Sequence, residues 1–325
     1  MLGRLARALD RRFGALNARM DALGERIGRL EERIDATVGA ISDQGGEITG
    51  LRATLEDHVQ PVLRAILDEE SENRRRLYER RDGDCYAAAY DEARPLVSVT
   101  VATRDHAELL LGRALPSLLG QTHAELEILV VGDAAPPELG EAVAALGDDR
   151  VSYANLTQRV RAHEDPLRHW LVGSTMARNE AARRARGRWL LHFDDDDHLR
   201  PDAISSLLAK AREERAEVAY GGFEEHHPDG APLRRLAFPP RSDCFGWQGA
   251  LVHGELGFFE RELVAAHLGM AGDEYLLERM LRAGVRFAML DEVVWDYYPS
   301  TVWGSSSARQ TTAQMPSTAE GSSSA

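Results

Sequence analysis

A short apolar run that ends in four consecutive aspartates constrains the fold of this chain more than any other stretch. Residues 189–193 read WLLHF, with the length and bulk of a strand covered on both faces, and the aspartates 194–197 follow directly. Pro201 then opens the next helical pattern. Open α/β sheets bind ligands at the carboxyl ends of their strands, so these carboxylates are expected at a binding edge. The alternative is a solvated acidic turn, because most runs of like charge lie in solvent.

Composition excludes several classes of protein. The formal net charge of -14 opposes a dedicated nucleic-acid binder, which needs a basic surface. Cys85 and Cys244 form neither a disulfide framework nor a zinc pattern, which favours a reducing compartment. No apolar stretch approaches the roughly 18 residues that span a bilayer, and residues 1–14 lack a signal-peptide core. We therefore expect a cytoplasmic protein, with an amphipathic segment at residues 2–12 as a candidate contact to the inner face of the membrane.

The N-terminal part of the chain carries a seven-residue apolar repeat. Every seventh residue from Phe13 to Val62 is apolar, which predicts a coiled-coil stem over residues 1–68 and self-association into a homo-oligomer. Gly45 and Gly46 weaken a helix, so a hairpin folded back at this point is the alternative to one continuous rod.

Two further segments flank the expected globular domain. Residues 69–94 are densely charged and predict a solvated helical linker. Residues 301–325 are rich in Ser, Thr, Ala and Gly and predict a disordered tail.

Strand and helix patterns alternate between residues 95 and 300. Alternating valines at 97–101 and the run ELEILVVGD at 125–133 predict two strands, each followed by a helical pattern. This order is typical of βαβ units, so we expect an α/β domain with a mostly parallel sheet flanked by helices. The polar stretch 156–173 and the Gly-, aromatic- and His-rich stretch 241–259 are candidates for acceptor-binding loops.

Four motifs in this domain occur in a familiar order: VSVTVATRDH, SLLGQTHAELEILVVGD, ARNEAARRARGRWLLHFDDDDHLRPD and GDEYLLERMLRAG. In this order and spacing they resemble the inverting family 2 glycosyltransferases of the GT-A fold, across residues 95–298. The resemblance implies a metal-dependent enzyme that moves a sugar from a nucleotide sugar, with a UDP sugar as the expected donor, to the hydroxyl of a glycan or another acceptor.

The resemblance also implies roles for individual residues. Asp194 and Asp196 match the D-x-D motif that holds a divalent metal, and Asp273 matches the acidic catalytic residue. The implied nucleotide-sugar contacts are Thr103, Arg104, Asp133, Arg178, Asn179 and Asp195. Two positions depart from the family pattern: Ala102 replaces a proline, and Gly132 replaces the first of two aspartates.

The chemistry of such a transfer agrees with these residue types. Negative charge accumulates on the leaving diphosphate, and a hard cation held by carboxylates stabilises it, so Mn²⁺ or Mg²⁺ is the expected cofactor. A carboxylate opposite the leaving group can take the proton of the acceptor hydroxyl, and Asp273 is the candidate, with Glu274 as its nearest competitor. The alternative for Asp273 is a helix N-cap beside Gly272.

Several alternatives stay open at this level. One is a coiled-coil scaffold whose transferase-like domain has lost catalysis and serves as an interaction module. Another is a nucleotidyltransferase, although no Gly-rich phosphate loop follows the first strand. His192, on the predicted strand, is expected to be a satisfied core residue, and His198 stays unassigned next to the aspartates.

Overall fold

The computed structural model describes residues 60–159, 165–228 and 230–299. The predicted coiled-coil stem, apart from its last residues, the candidate membrane contact and the tail lie outside these residues. The chain divides into two compact units, Met1–Glu69 and Glu70–Ala325. Of the first unit only residues 60–69 are described, as the start of a helix. Within the described residues, no helix is both long and apolar enough to cross a membrane.

The second unit is built from nine strands and a set of mostly short helices among the described residues. The strands are β1 (Val97–Thr103), β2 (Leu126–Gly132), β3 (Val151–Asn155), β4 (Trp189–Asp194), β5 (His198–Leu199), β6 (Val218–Glu225), β7 (Leu233–Arg235), β8 (Ala250–His253) and β9 (Phe287–Tyr297). The helices are α1 (Gln60–Arg81), α2 (Asp84–Asp91), α3 (three continuous segments, Ala107–Leu109, the π-helical Leu110–Ala114, and Leu115–Leu119), α4 (Pro137–Ala144), α5 (Pro166–Leu171), α6 (Thr175–Arg184), α7 (Ala203–Glu214), α8 (Val264–Leu268) and α9 (Gly272–Ala283). Trp247–Gly249 and Gly254–Leu256 are single 3₁₀ turns.

All nine strands belong to one mixed sheet. Its order is β3-β2-β1-β4-β8-β6-β9-β5, with β7 paired to β6. The first four strands are parallel, which matches the predicted βαβ units. β8 then runs antiparallel to both β4 and β6, so the parallel arrangement does not extend through the whole sheet. The predicted α/β class is confirmed, and the antiparallel β8 comes from the stretch 241–259, which carries no clear strand or helix pattern.

Burial explains why the central strands read as continuous apolar runs. All residues of β1 and β2 are buried, because helices cover both faces of this half of the sheet. One hydrophobic core joins α3, α7 and the central strands, with Leu115, Ile204 and Leu191 fully buried. A second core joins α9 to β6 and β8, and its buried members include Leu276, Met280 and Tyr220.

The segment predicted as a solvated linker, residues 69–94, packs on the domain over most of its length. Leu77 of α1 and Tyr86 of α2 are buried in the two hydrophobic cores. Arg81 donates from Nε and Nη2 to the two carboxylate oxygens of Glu217, at 2.6 and 2.7 Å, and the Tyr86 hydroxyl donates to the same carboxylate at 2.7 Å. The high charge density of this segment predicted that it would be solvated. In the structure the charge of Arg81 is instead neutralised by Glu217, 136 residues away in the sequence.

Candidate active site

The carboxyl ends of β1, β2 and β4 meet at one edge of the sheet. Thr103 is paired with Gly132, and Ala102 with Asp194, so polar residues from three strands are neighbours there. The Asp133 N–H donates to the Thr103 carbonyl at 2.8 Å. The parallel register therefore brings together residues that are far apart in the sequence.

The expected nucleoside-binding residues have different environments. Asp133 is 3% exposed and pairs with Arg159, whose Nε lies 3.2 Å from Asp133 Oδ2. Thr103 is also buried, and within the part of the chain that the structure describes its hydroxyl has no hydrogen-bond partner. Arg104 is partly exposed, with its Nε 3.5 Å from Asp105 Oδ2. Thr103 and Asp133 thus lie adjacent at the sheet edge, and Arg104 follows at its rim.

Packing accounts for the glycine that replaces the first aspartate of the family pattern. A Cβ atom at Gly132 would lie 2.4 Å from Asn155 Oδ1 and 2.6 Å from the Tyr153 hydroxyl oxygen. Real Cβ contacts are longer than this, so a side chain at position 132 would require the Asn155 and Tyr153 side chains to move. The glycine at this position therefore fits the present arrangement of these two side chains.

The aspartates at the end of β4 form hydrogen bonds with different parts of the protein. Asp194 accepts from Arg178 Nη2 at 2.5 Å through Oδ1, and from Gln248 through Oδ2. Asp195 Oδ1 lies 3.1 Å from His106 Nδ1. Their hydrogen bonds therefore link the end of β4 to α6, to the turn before β8 and to the loop after β1.

The last aspartate of the run is part of the protein interior. Asp197 is fully buried, and its Oδ1 accepts from the Tyr298 N–H at 3.1 Å. Its other oxygen has no hydrogen-bond partner among residues 60–159, 165–228 and 230–299. Burial, and then the charges of Asp194 and Asp196, raise the pKa of Asp197 well above its usual range. The hydrogen bond of this carboxyl connects the segment after β4 to the residue that follows β9.

Asp196 is a second aspartate whose ionisation is disfavoured. Burial raises its pKa to about 6, and the charges of Asp194 and Asp195 act in the same direction, opposed in part by His106. Carboxylate oxygens of Asp194, Asp196 and Asp197 lie within 4.8 Å of one another. An all-oxygen set of this kind suits Mg²⁺ or Mn²⁺, and a cation there would relieve the repulsion between the carboxylates. The residues present therefore fit the expected metal.

Asp273 lies at the start of α9 with a cationic partner. Its Oδ1 accepts from Arg261 Nε at 2.5 Å, and its side chain is 38% exposed. Burial opposes ionisation, but the charges of Arg261 and Arg178 outweigh it and hold the pKa of Asp273 at about 2. The helix N-cap is Ala271, so the N-cap alternative for Asp273 is wrong. Asp273 is therefore an ionised and accessible carboxylate.

Helix α6 connects the two acidic groups. Arg178 pairs with Asp194, and after the opposing effect of burial the charges of Asp194 and Asp273 raise its pKa. The next residue, Asn179, is buried and uses both amide atoms on the backbone of Arg261: Nδ2 donates to the carbonyl at 2.8 Å and Oδ1 accepts from the N–H at 3.0 Å. Asn179 thus contacts the protein backbone in this structure, while Arg178 faces the acidic residues.

Some residues of the site carried no signal in the sequence. Gln248 and Arg261 come from irregular segments, and His106 follows β1 in a loop. A single polar residue in a loop gives no periodic pattern, so only the tertiary structure identifies these three. His192 is buried and lies 2.8 Å from the Thr100 hydroxyl, which confirms the prediction of a satisfied core histidine. His198 pairs with Asp296, at 3.1 Å between Nδ1 and Oδ2.

The fold and the acidic strand end define a class of protein, the α/β proteins with a polar ligand-binding edge at the carboxyl ends of their parallel strands. The sequence profile for "Glycosyl transferase family 2" matches residues 98–265, about half of the chain. The chain belongs to this family. Family membership and the mixed α/β sheet together confirm the GT-A type of fold.

Individual relatives match less than half of the chain. The succinoglycan biosynthesis protein ExoO of Rhizobium meliloti is 31% identical over 143 residues, 44% of this chain and 37% of that protein. The GalNAc(5)-diNAcBac-PP-undecaprenol beta-1,3-glucosyltransferase of Campylobacter jejuni is 32% identical over 126 residues, 38% of this chain and 37% of that protein. This chain thus matches little more than a third of the length of either relative. A crystal structure of S. aureus TarS superposes with a TM-score of 0.48 and 18% identity over 62% of this chain and 60% of that chain.

Proposed function

We propose that the protein is a metal-dependent, inverting glycosyltransferase that moves a sugar from a nucleotide sugar, with a UDP sugar as the expected donor, to a hydroxyl of a glycan acceptor. The observation that carries this proposal is the pairing of two unlike acidic groups around Arg178. One is the crowded group of aspartates with a raised pKa at Asp196, and the other is the ionised, accessible Asp273.

The donor would bind at the edge formed by β1, β2 and β4. Thr103 offers an unused hydroxyl among the described residues, and Asp133 lies next to it with Arg104 at the rim. Arg178 and Asp195 approach the same edge from α6 and from the end of β4. We assign the nucleoside to the first three residues and the diphosphate to Arg178, because a guanidinium can neutralise phosphate oxygens. Asp195 can only accept hydrogen bonds, so we assign it to a hydroxyl group of the nucleotide sugar.

Asp194 and Asp196 would hold the divalent metal, Mn²⁺ or Mg²⁺. When bound there, the metal supplies positive charge to the diphosphate. Asp194 accepts from Arg178 and Gln248, so these two donors preset its orientation. Asn179 contributes indirectly, because it holds the backbone of Arg261 beside the catalytic carboxylate.

Asp273 would take the proton of the attacking hydroxyl. The acceptor oxygen forms a bond to the anomeric carbon while the bond from that carbon to the diphosphate oxygen breaks and its electron pair leaves with the diphosphate. The acceptor proton goes to the carboxylate, a role worth about 10²- to 10⁴-fold in rate. Attack opposite the leaving group inverts the anomeric configuration.

The proposed acceptor is supported by the names of relatives, and the proposed assembly by the sequence pattern of the stem. Relatives named for succinoglycan biosynthesis and for a lipid-linked glycan support a glycan acceptor. Self-association through the stem, a cytoplasmic location and contact with the membrane face remain predictions from the sequence, because residues 1–59 lie outside the described part of the chain.

The test is a screen of nucleotide sugars for binding and turnover with Mn²⁺, with Mg²⁺ and with a chelator. We expect metal-dependent turnover that Asp194→Ala, Asp196→Ala and Asp273→Asn each reduce by about 10²-fold or more. Asp291→Ala is a matched control, because Asp291 is 81% exposed and pairs only at the surface with Arg234. Wild-type activity in the three site variants would contradict the proposal. A protein that binds no nucleotide sugar with any metal would favour the catalytically lapsed interaction module.

A further inference from the structure

Arg261 is a buried arginine that no sequence motif assigned to the site. Its side chain is 3% exposed, and its Nε donates to Asp273 Oδ1 at 2.5 Å. Both polar atoms of its peptide backbone are bonded by the side chain of Asn179. The backbone of Arg261 is therefore held by a side chain of α6, and its guanidinium by a side chain of α9.

The guanidinium uses only part of its hydrogen-bonding capacity. Its Nη2 is buried and has no partner among the residues that the structure describes. An unmade hydrogen bond of a buried donor is unfavourable and is rare in folded proteins. Burial lowers the pKa of Arg261, and the like charge of Arg178 adds to this effect against the attraction of Asp273. Folding stability alone does not explain such a residue.

Elsewhere in the same chain an arginine shows the arrangement that stability favours. Arg81 engages both oxygens of Glu217 through Nε and Nη2. This parallel two-bond geometry is the strong form of an arginine–carboxylate pair. Arg261 presents the same two nitrogen atoms but hydrogen-bonds Asp273 through Nε and Oδ1 alone. Asp273 Oδ2 therefore forms no hydrogen bond with Arg261, and the Asp273 side chain is partly exposed.

We propose that Arg261 is a positioning residue for Asp273, holding one carboxylate oxygen so that the other is directed to the acceptor hydroxyl. This inference rests on the function proposed above. In the transfer step Asp273 Oδ2 takes the acceptor proton while Oδ1 keeps its hydrogen bond to Arg261. The bonds made and broken at the anomeric carbon are those already described, and Arg261 exchanges no proton.

The charges around Asp273 support this role. Arg261 and Arg178 face it from the segment before α8 and from α6, His192 faces it from β4, and Glu274 follows it on α9. Burial holds the pKa of His192 well below its usual range, so this ring is neutral near pH 7. Arg261 is the largest of the influences that keep the pKa of Asp273 low. Its removal should therefore raise the pKa of that carboxyl.

Two substitutions separate positioning from simple packing. Arg261→Met keeps most of the buried volume and removes the charge, and Arg261→Lys restores a positive charge without the planar fork. We expect Arg261→Met to lower kcat by about 10²-fold, with little change in the KM for the donor. The acidic limb of the pH–rate profile should move to higher pH, and Arg261→Lys should recover part of the rate and of the shift.

Arg279→Met is the matched control. Arg279, on α9, is also buried, but it pairs with Glu262 at 2.7 Å and donates to the Glu260 carbonyl. We expect it to lower the melting temperature without moving the pH profile. If Arg261→Met also lowers kcat only in proportion to lost folded protein and leaves the profile unchanged, the residue is structural and the inference is overturned.

A measurement without turnover distinguishes this inference from the proposed function. Carbon-13 NMR of labelled aspartate carboxyls, with the Asp273 signal assigned through Asp273→Asn, reports its titration directly. An upward shift of that titration in Arg261→Met supports the positioning role, and an unchanged titration overturns it. If the shift occurs but the wild-type protein transfers no sugar from any donor, the proposed function fails while the link between the two residues stands.

Discussion

Glu217 is a single buried carboxylate, and the aspartates 194–197 at the end of β4 are a group of four of which two are buried, and the partners of the two sites differ. Glu217 is fully buried and accepts from Arg81, from the Tyr86 hydroxyl and from the Arg286 N–H, at distances of 2.6 to 2.8 Å. Burial alone would raise its pKa, yet these partners outweigh burial and lower it. Every oxygen of this carboxylate is bonded within the protein.

The aspartate group has the opposite electrostatics. Asp196 and Asp197 have raised pKa values because burial and the neighbouring carboxylates act together. Protein regions that keep unfavourable charges or strain are concentrated at functional sites. The comparison teaches that the first carboxylate is fully compensated by partners within the protein, while ionisation of the second group is disfavoured by burial and by neighbouring carboxylates.

The largest effect on stability is expected at Glu217. Glu217→Ala leaves Arg81 and the Tyr86 hydroxyl without their acceptor in a buried place, so the free energy of unfolding should fall by about 3–5 kcal/mol. Urea unfolding measures this difference. Glu255→Ala is the control, since Glu255 forms a more exposed pair with Arg80 and should cost less than about 1 kcal/mol. Equal losses in the two variants would mean that the buried pair is no stronger than a surface pair.

The same contrast explains how much of the structure could be predicted from the sequence. β1, β2 and β4 are buried on both faces, and polar residues stand at or just after their ends. Each strand is therefore visible in the sequence as an apolar run, and the polar residues mark where it ends. The position of Asp194 and Asp196 at a sheet edge follows from such signals. The docking of residues 70–94 does not, because the arginine charge at 81 is balanced by a carboxylate far along the chain.

Gln248 and Arg261, which contact the acidic residues of the site, were harder to predict for a related reason. Gln248 lies in a single 3₁₀ turn before a four-residue antiparallel strand, and Arg261 in an irregular segment. Their importance comes from hydrogen bonds to Asp194 and Asp273, 54 and 12 residues away. Neither periodicity nor composition records a partner at such a distance. The residues that sequence reasoning missed are therefore those whose role is entirely tertiary.

A smaller effect of opposite sign is expected at Asp196. Its pKa of about 6 lies above that of an unfolded aspartate, so the folded state binds the proton more tightly and ionisation destabilises it as the pH rises from about 4 to 6. Asp196→Asn should therefore raise the free energy of unfolding at pH 7.5 without metal, by up to about 3 kcal/mol. Denaturant unfolding at pH 7.5 and pH 4 should show the gain only at the higher pH.

Metal sharpens this second test. Mn²⁺ should raise the melting temperature of the wild-type protein more than that of Asp196→Asn, because binding to the folded state stabilises it and the variant lacks one ligand. With Mn²⁺ present, the difference in stability between Asp196→Asn and the wild type should therefore become smaller. A variant that is less stable than the wild type at pH 7.5 without metal would contradict the view that the aspartate group is electrostatically strained.

The smallest effect is expected at His106. Its hydrogen bond to Asp195 raises its pKa to about 9, with burial opposing and the charges of Asp195, Asp196 and Asp105 assisting. The imidazolium therefore stabilises the fold fully below about pH 6.5, and this contribution is lost as the pH rises through 9. Because the side chain is 48% exposed, solvent screening limits the loss in His106→Ala to about 0.5 kcal/mol at pH 6. Melting temperatures at pH 6 and pH 10 measure it: the difference from the wild type should vanish at pH 10. A difference that persists there would assign His106 to packing, and the aspartates would then lack their one histidine counter-charge among the described residues.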